Sequence, residues 1–539
     1  METRFVATTG YDDQRPGTAG LRKKVRVFQQ PGYLECFLQA VFDGAGPFDG
    51  KTLVAGGDGR YFNREALQTL ASVAAANGVA RLVVGRSGLL STPAASNLVR
   101  QRHADGGFIL SASHNPGGPD GDFGVKFNTA NGGQASESLM AAVYQATQTL
   151  EGYRLADLGP IDFETTGVRS YGTLTVEIVD PVSDYAALME RLFDFDRIRS
   201  LLTGGGFRMR FDAMHAITGP YATDILETRL GAPAGTVMNG QPLEDFGGGH
   251  PDPNPVDAAE LVSLMNGADA PDFAAASDGD GDRNMIVGRG LVVSPGDSLA
   301  IIAARHELVP GYRDGIAGVA RSMPTSRAVD RVARALDIPC YETPTGWRFF
   351  CNLLDAGRID LCGEESFGTS SSHAREKDGL WAVLYWLNLL AATGSSVPTL
   401  VADHWARFGR NVFARNDYFI PQAERGQAVM NHLEESLASL PGRGGVLAAD
   451  SFTYHDPVDD SESPNQGIRV FLEDDARIVY RLSGTGTAGA TLRVYLERLL
   501  PGEQAAGEAP ALTAELGARS RALAAVEELT GLAAPTGII

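Results

Sequence analysis

The chain has 539 residues, 43% of them hydrophobic and 21% charged, with a net charge of −20. That length exceeds what one hydrophobic core serves and implies about three to five domains. The composition is that of a soluble globular protein, and the acidic balance argues against nucleic-acid and membrane-surface partners.

No apolar run approaches the roughly 20 residues needed to span a bilayer. The opening Met-Glu-Thr-Arg-Phe lacks the basic-then-apolar order of a signal peptide, so a cytoplasmic location is expected. Cys36, Cys340, Cys351 and Cys362 have no metal-type spacing, and reduced thiols with packing roles are expected.

In chain order, residues 11–28 form a loop around Pro16-Gly17 and Gly20, followed by Arg22, Lys23, Lys24 and Arg26. This segment reads equally as a solvated basic surface or as an anion-contacting loop. Residues 52–60, 66–77 and 81–85 then give strand, glycine turn, helix and strand, a βαβ pattern. The pattern recurs with a strand at 207–213 and a helix at 221–230. It recurs again with a strand at 318–322, a helix at 327–336 and a strand at 338–341. Three related α/β domains are therefore expected. After Leu400 the texture changes. Strands at 468–472 and 477–482 flank a turn, a glycine loop occupies 483–489, and a strand at 491–496 and a helix at 512–529 complete an α+β domain.

Five stretches carry chemistry. Phe108-Ile109-Leu110 reads as a buried strand running into Ser111-Ala112-Ser113-His114-Asn115-Pro116-Gly117-Gly118. Ser113 then stands at a strand end, where open α/β sheets keep their chemistry; alone, the stretch also fits a plain strand-capping turn. In Asp278-Gly279-Asp280-Gly281-Asp282-Arg283, three carboxylates at alternate positions repel one another unless a hard divalent cation joins them. A calcium EF-hand is excluded, because Arg283 stands where it needs glycine and Arg289 where it needs glutamate. Magnesium fits better, and a solvated acidic turn is the bland alternative.

Gly363-Glu364-Glu365-Ser366-Phe367-Gly368, with Thr343-Pro344-Thr345-Gly346-Trp347, offers adjacent carboxylates and hydroxyls suited to neighbouring sugar hydroxyls, or ordinary loop chemistry. Lys377 precedes the helix at 380–390 against its dipole, with Asp378 as N-cap; a solvated lysine is the alternative. Finally Arg481-Leu482-Ser483-Gly484-Thr485-Gly486-Thr487, with Arg493, has the composition of a phosphate cradle without the spacing of a Walker loop.

Taken together, these stretches resemble the α-D-phosphohexomutase superfamily, most closely its glucose-specific phosphoglucomutases of eukaryotic type. The resemblance rests on Gly-Leu-Arg at 20–22, Ala-Ser-His-Asn-Pro at 112–116 and Gly-Asp-Phe-Gly-Val-Lys-Phe-Asn at 121–128. It continues with Asp-Gly-Asp-Gly-Asp-Arg at 278–283, Gly-Glu-Glu-Ser-Phe-Gly at 363–368 and Arg-Leu-Ser-Gly-Thr-Gly at 481–486. It implies four domains around a central cleft: 1–180 with a phosphoserine loop, 181–293 with a metal loop, 294–402 with a sugar loop and 403–539 with a phosphate loop.

It further implies a phosphoserine at Ser113, with His114 and Lys126 nearby and Arg22 among the catalytic and substrate-contacting groups. Asp278, Asp280 and Asp282 would hold Mg2+ with an oxygen of that phosphoserine, beside Arg283. Lys377 would lie toward the far end of the substrate, where proton transfer is thought to occur. Thr345, Glu364 and Ser366 would grip the sugar, and Arg481, Ser483, Thr485 and Arg493 would hold the phosphate not being transferred.

The implied reaction interconverts glucose 1-phosphate and glucose 6-phosphate through glucose 1,6-bisphosphate, with a small sugar phosphate as the partner and a monomer or weak dimer as the assembly. The same chemistry on another sugar, a bisphosphate synthase and a non-catalytic scaffold are the rivals. Three departures stand out: Ser111 for the family's threonine, Arg348 for its lysine, and Arg327 where glycine is expected.

Overall fold

A computed structural model describes residues 2–17, 19–484, 489–502 and 509–539. Its first three sheets share one plan. In the first, strand Thr52–Gly57 lies between parallel Arg81–Leu89 and Gly106–Leu110, and the latter pairs antiparallel with Asp122–Thr129. In the second, Met209–Asp212 lies between parallel Val237–Met238 and Phe273–Ser277, which pairs antiparallel with Asn284–Gly288. In the third, Val319–Ser322 lies between parallel Cys340–Thr343 and Leu361–Glu364, which pairs antiparallel with Gly368–Ser371. The sequence-expected repeat is thus a shared topology. It also positions the site: the Ser113 loop, the Asp278–Asp282 loop and the Glu364–Ser366 loop all lie at the same turn, from third strand to fourth.

The inner strands of these sheets are buried on both faces, as covered parallel sheets require. Every residue of Gly106–Leu110, Phe273–Ser277, Val319–Ser322 and Leu361–Glu364 is inside. Helix Gly379–Thr393 is apolar all round and correspondingly buried from Gly379 to Leu390. Asp378 caps it by accepting the Trp381 N–H at 3.0 Å, as the sequence predicts, and the same carboxylate also takes Tyr185 Oη at 2.6 Å and His373 Nε2 at 2.9 Å.

The fourth sheet is antiparallel throughout, in the order Val446–Ser451, Ile468–Leu472, Ala476–Ser483, Ala490–Leu500, Arg410–Ile420 and Gly537–Ile538. Among the described residues no single helix is long and apolar enough to cross a membrane. A bent pair, Gly379–Thr393 with Val397–Phe408, passes by length and composition, and its first member is the buried core helix just described. All four cysteines are free, with Cys36, Cys351 and Cys362 buried and Cys340 exposed.

Four expectations shift. The helix expected at 221–230 is α-helical over Thr218–Ala222 and π-helical over Thr223–Arg229, where the wider turn lets Leu230 N–H reach Ile225 O. The strand expected at 338–341 is Cys340–Thr343, because Asp337 at φ 56° closes the preceding helix in a left-handed turn. The helix expected at 512–529 breaks at Ala525 (φ 47°) into Ala509–Leu523 and Val526–Thr530. The domain limit expected at 402 falls inside helix Val397–Phe408, and the chain turns into the fourth sheet at Gly409 (φ 78°).

Candidate active site

Ser113 carries the site's backbone strain. Its φ of 54° is unusual for a non-glycine residue and is held by a buried brace. Ser111 Oγ accepts the Ser113 N–H at 2.7 Å and donates to Asp58 Oδ2 at 2.6 Å. Asp58 pairs with Arg60, both side chains fully buried, and Arg60 Nη2 donates to Ser113 O at 2.6 Å. Ser111 is thereby part of the brace through its hydroxyl. The Asp58-Gly59-Arg60 turn reads in sequence only as a glycine turn, and its bracing role is absent from the motif.

The second loop meets Ser113 directly. Ser113 Oγ donates to Asp278 Oδ2 at 3.0 Å. Gly279 has no room for a side chain, since a Cβ there would lie 2.3 Å from Ser113 O. Asp278 Oδ1 accepts the N–H groups of Asp282 and Arg283 at 2.9 and 3.0 Å, which curls the loop. Oxygens of Asp278, Asp280 and Asp282 lie within 4.8 Å of one another, all buried, and Asp280 Oδ1 and Asp282 Oδ1 have no hydrogen-bond partner. Burial and the two neighbouring carboxylates push the Asp278 carboxyl well above its ordinary range. Such a set of oxygens fits a divalent cation; among the described residues it is the one fully buried acidic group of this kind.

Cations surround this pair of loops. Strand Asp122–Thr129 turns Lys126 and Asn128 to one face, and Lys126, 3% exposed, bonds Asp280 Oδ2. Burial opposes charge on Asp280, yet Lys126 and Thr92 Oγ1, at 2.7 Å, hold its carboxyl well below its usual range. Of the four basic residues after Gly20, Lys23 pairs with Asp13 and Lys24 with Asp122 at the surface, and Arg26 is exposed. Arg22 differs from these three in leaving its buried Nε without a hydrogen-bond partner. Arg283 bonds Asp252 at 2.9 Å, and its buried Nε makes no hydrogen bond but stands 4.0 Å from Asp278 Oδ2. His114 Nδ1 is 3.5 Å from Ser113 Oγ; burial, then Arg283, Arg22 and Lys377, hold the imidazole neutral, well below its ordinary pKa.

Lys377 Nζ stands 3.3 Å from Asp282 Oδ2 and 3.9 Å from Glu364 Oε1. It thus lies at the seam of the Asp278–Asp282 and Glu364–Ser366 loops. Burial disfavours its charge, but Asp282 and Glu364 outweigh that and keep it protonated. The loops are stitched there by Asn284 N–H to Phe367 O (2.8 Å) and Gly379 N–H to Gly281 O (3.1 Å). A Cβ at Gly379 would lie 2.0 Å from Arg283 O.

In the sugar loop, Glu364 is 6% exposed, with Ser366 Oγ 3.4 Å from Oε2. Thr345 Oγ1 is buried without a partner. Glu365 differs from the sequence reading of paired sugar-binding carboxylates, because both its oxygens are taken by Tyr495, Ser322 and Thr325. In the fourth sheet Arg481 and Arg493 face each other across the ladder, and among the described residues neither has an acidic partner; Arg493 Nε is buried and unpartnered. Directly opposed like charges are unfavourable without an anion between them. Ser483 Oγ bonds Thr491 O at 3.3 Å, and Thr485 lies outside the described residues. Arg327 takes φ −77°, open to any residue, so glycine is not needed there.

Sequence reasoning missed Asp58, Arg60, Thr92, Asp252 and Glu376. Glu376 is fully buried and bonds Asn128 Nδ2 at 2.9 Å and Gln134 Nε2 at 3.1 Å across the seam between first and third domains. Burial pushes its carboxyl up to about 7.

Comparison with known proteins agrees with the four-domain fold. Residues 13–154, 183–290 and 295–408 match the models for phosphoglucomutase/phosphomannomutase α/β/α domains I, II and III, and residues 410–536 match that for the phosphoglucomutase-1 C-terminal domain. A phosphoglucomutase of Rhizobium radiobacter is 55% identical over 540 residues, covering 99% of both chains. Phosphoglucomutase-1 of Oryctolagus cuniculus is 48% identical over 556 residues, again covering 99% of each. The solved open form of the Paramecium phosphoglucomutase pp63/parafusin superposes with a TM-score of 0.93 at 43% identity, covering 100% of this chain and 99% of that one.

Proposed function

Since the chain belongs to the phosphoglucomutase/phosphomannomutase family, we propose that it interconverts α-D-glucose 1-phosphate and glucose 6-phosphate through a phosphoenzyme at Ser113. The observation that carries this reading is Ser113 Oγ at 3.0 Å from Asp278, beside Arg22, Lys126, Arg283 and Lys377, with the Nε atoms of Arg22 and Arg283 left without a hydrogen-bond partner. Although the chain carries a net charge of −20, these basic groups converge on the Ser113 loop, which suits an anionic substrate.

In the forward direction, O6 of glucose 1-phosphate attacks the phosphorus of phospho-Ser113. The O6–P bond forms as the P–Oγ bond breaks, and the O6 proton passes to a base. The glucose 1,6-bisphosphate so formed turns over in the cleft. Ser113 Oγ then attacks the 1-phosphate, the P–O1 bond breaks, O1 takes a proton and glucose 6-phosphate leaves. Both transfers need alignment and charge neutralisation more than covalent help.

Arg22, Lys126 and Arg283 supply that charge. His114, held neutral against Ser113, is placed to hydrogen-bond the phosphoserine. Lys377 reaches both the Asp282 side and Glu364, where the hydroxyl proton is handed on. Glu364, Ser366 and Thr345 orient the sugar, and Arg481, Ser483, Thr485 and Arg493 hold the idle phosphate. Asp278, Asp280 and Asp282, with a phosphoserine oxygen, would hold Mg2+, which would draw charge from the transferring phosphoryl group. We take glucose 1,6-bisphosphate as intermediate and activator, domains 1–180, 181–293, 294–408 and 409–539, a cytoplasmic location, and a monomer or weak dimer.

A coupled assay with Mg2+ and catalytic glucose 1,6-bisphosphate tests the reading. Glucose 6-phosphate should form without an outside phosphoryl donor, and kcat/KM for glucose 1-phosphate should exceed that for mannose 1-phosphate by about tenfold or more. Dependence on a donor would instead mark a bisphosphate synthase, and equal rates on the two sugars would remove the glucose assignment.

A further inference from the structure

Strand Ala490–Leu500 presents Arg493, Tyr495 and Glu497 on one face, since alternate residues share a side. They lie opposite Arg481, Val479 and Arg477. The Glu497 end is anchored to the third domain: its carboxylate accepts Arg327 N–H at 2.6 Å and Arg477 Nε at 3.0 Å. Arg477 in turn donates to Met323 O at 3.0 Å and Thr325 O at 2.8 Å. At the Arg493 end, Asp417 stands opposite on the next strand but pairs with Arg415, and among the described residues neither guanidinium of Arg481 and Arg493 has an acidic partner.

Tyr495 stands between them. It is 1% exposed, its ring packed with Met323 and Phe349 of the third domain, and Oη donates to Glu365 Oε1 at 3.1 Å. Glu365 Oε2 accepts Ser322 Oγ at 3.0 Å and Thr325 Oγ1 at 3.5 Å, so the carboxylate is held by hydroxyls alone. Burial, then Glu365, push the Tyr495 phenol up to about 12, which keeps it a donor throughout the neutral range.

We propose that the Tyr495–Glu365 hydrogen bond couples anion binding at Arg481 and Arg493 to the set of the sugar loop, with both residues acting as positioning residues for Glu364 and Ser366. The inference rests on the functional reading above, which makes Arg493 a phosphate ligand and Glu364 a sugar ligand. The strand is stiff, paired residue for residue with Arg410–Ile420 along its whole length. A phosphate that draws Arg493 and Arg481 together fixes the tilt of that strand, and Tyr495, two residues on, passes the setting to Glu365. Glu364 and Ser366 flank Glu365 in sequence, so a fixed Glu365 fixes the two side chains that meet the hexose. A substrate is then gripped at sugar and distal phosphate together, in either of its two orientations.

The test is Tyr495→Phe in the full-length enzyme, which keeps the ring and removes only the hydroxyl. KM for glucose 1-phosphate should rise about tenfold, with kcat within about threefold of wild type and an unchanged melting temperature. In a double-mutant cycle with Arg493→Gln, the double variant should be no worse than Arg493→Gln alone, because the phenol transmits what the guanidinium senses. Glu365→Gln, which keeps an acceptor for Tyr495, should be milder than Glu365→Ala. An unchanged KM in Tyr495→Phe, or additive effects in the cycle, would overturn the coupling while leaving the mutase reading intact. A wild-type protein without mutase turnover would overturn the reading itself.

Discussion

Ser113→Ala and Ser113→Gly are both expected to lose roughly 10⁴- to 10⁶-fold in turnover while remaining folded. The two variants differ in what they do to the backbone. Alanine keeps a Cβ at φ 54°, a conformation that costs an L-residue about 1–2 kcal/mol, and glycine relieves that cost. If strain at this position drove the reaction, the two would differ. If the hydroxyl is the phosphoryl carrier, they fail alike. Both should fold because the Ser111, Asp58 and Arg60 brace acts on the main chain of residue 113, and the lost hydroxyl contacts only Asp278 and His114. Thermal unfolding beside a coupled assay checks this; substantial activity in either variant would remove Ser113 from the reaction.

Removing the cation is expected to have the next largest effect. Chelation should abolish turnover, and added Mg2+ should restore it and raise the melting temperature, since a ligand present at about 100 times its Kd stabilises by about 2.7 kcal/mol. Asp278→Asn isolates the cause. The amide oxygen can still accept the Asp282 and Arg283 N–H groups, so the loop keeps its curl. What is lost is one of three charges that repel one another in a buried site. The variant should therefore be more stable than wild type in chelator, lose the Mg2+-dependent shift, and be slower by about 10²-fold or more. A variant less stable than wild type in chelator that keeps its Mg2+ shift would show that the carboxylates do not serve a cation.

What the sequence made legible follows from where each partner lies along the chain. The Ser113 loop, the Asp278–Asp282 loop and the Glu364–Ser366 loop are short contiguous runs whose residue types are chemically odd without a ligand, so each can be read locally. The recurrence of one turn in three sheets was visible only as repeated strand-turn-helix texture. The brace that holds Ser113 was not legible, because Asp58 and Arg60 lie in an ordinary glycine turn and reach Ser113 only after the sheet forms.

Glu365 shows the opposite failure. It sits beside Glu364 in a run that looks bidentate, but it stands in the turn after strand Leu361–Glu364 and its carboxylate is taken by Tyr495, Ser322 and Thr325. Lys377 was marked by its conflict with the helix dipole, and the structure supplies the reason that conflict is tolerated, with Asp282 and Glu364 beside the ammonium. Arg22 could not be told from Lys23, Lys24 and Arg26 by composition; only its buried, unpartnered Nε, against the surface pairs of Lys23 and Lys24, separates it.

The most direct measurement is peptide-resolved mass spectrometry of the wild-type enzyme charged with isotopically labelled glucose 1,6-bisphosphate and then chased with unlabelled glucose 1-phosphate. One labelled phosphoryl group should reside on Ser113 and leave with the sugar product during the chase. Label on another residue, or full mutase turnover with Ser113 never labelled, would contradict the account.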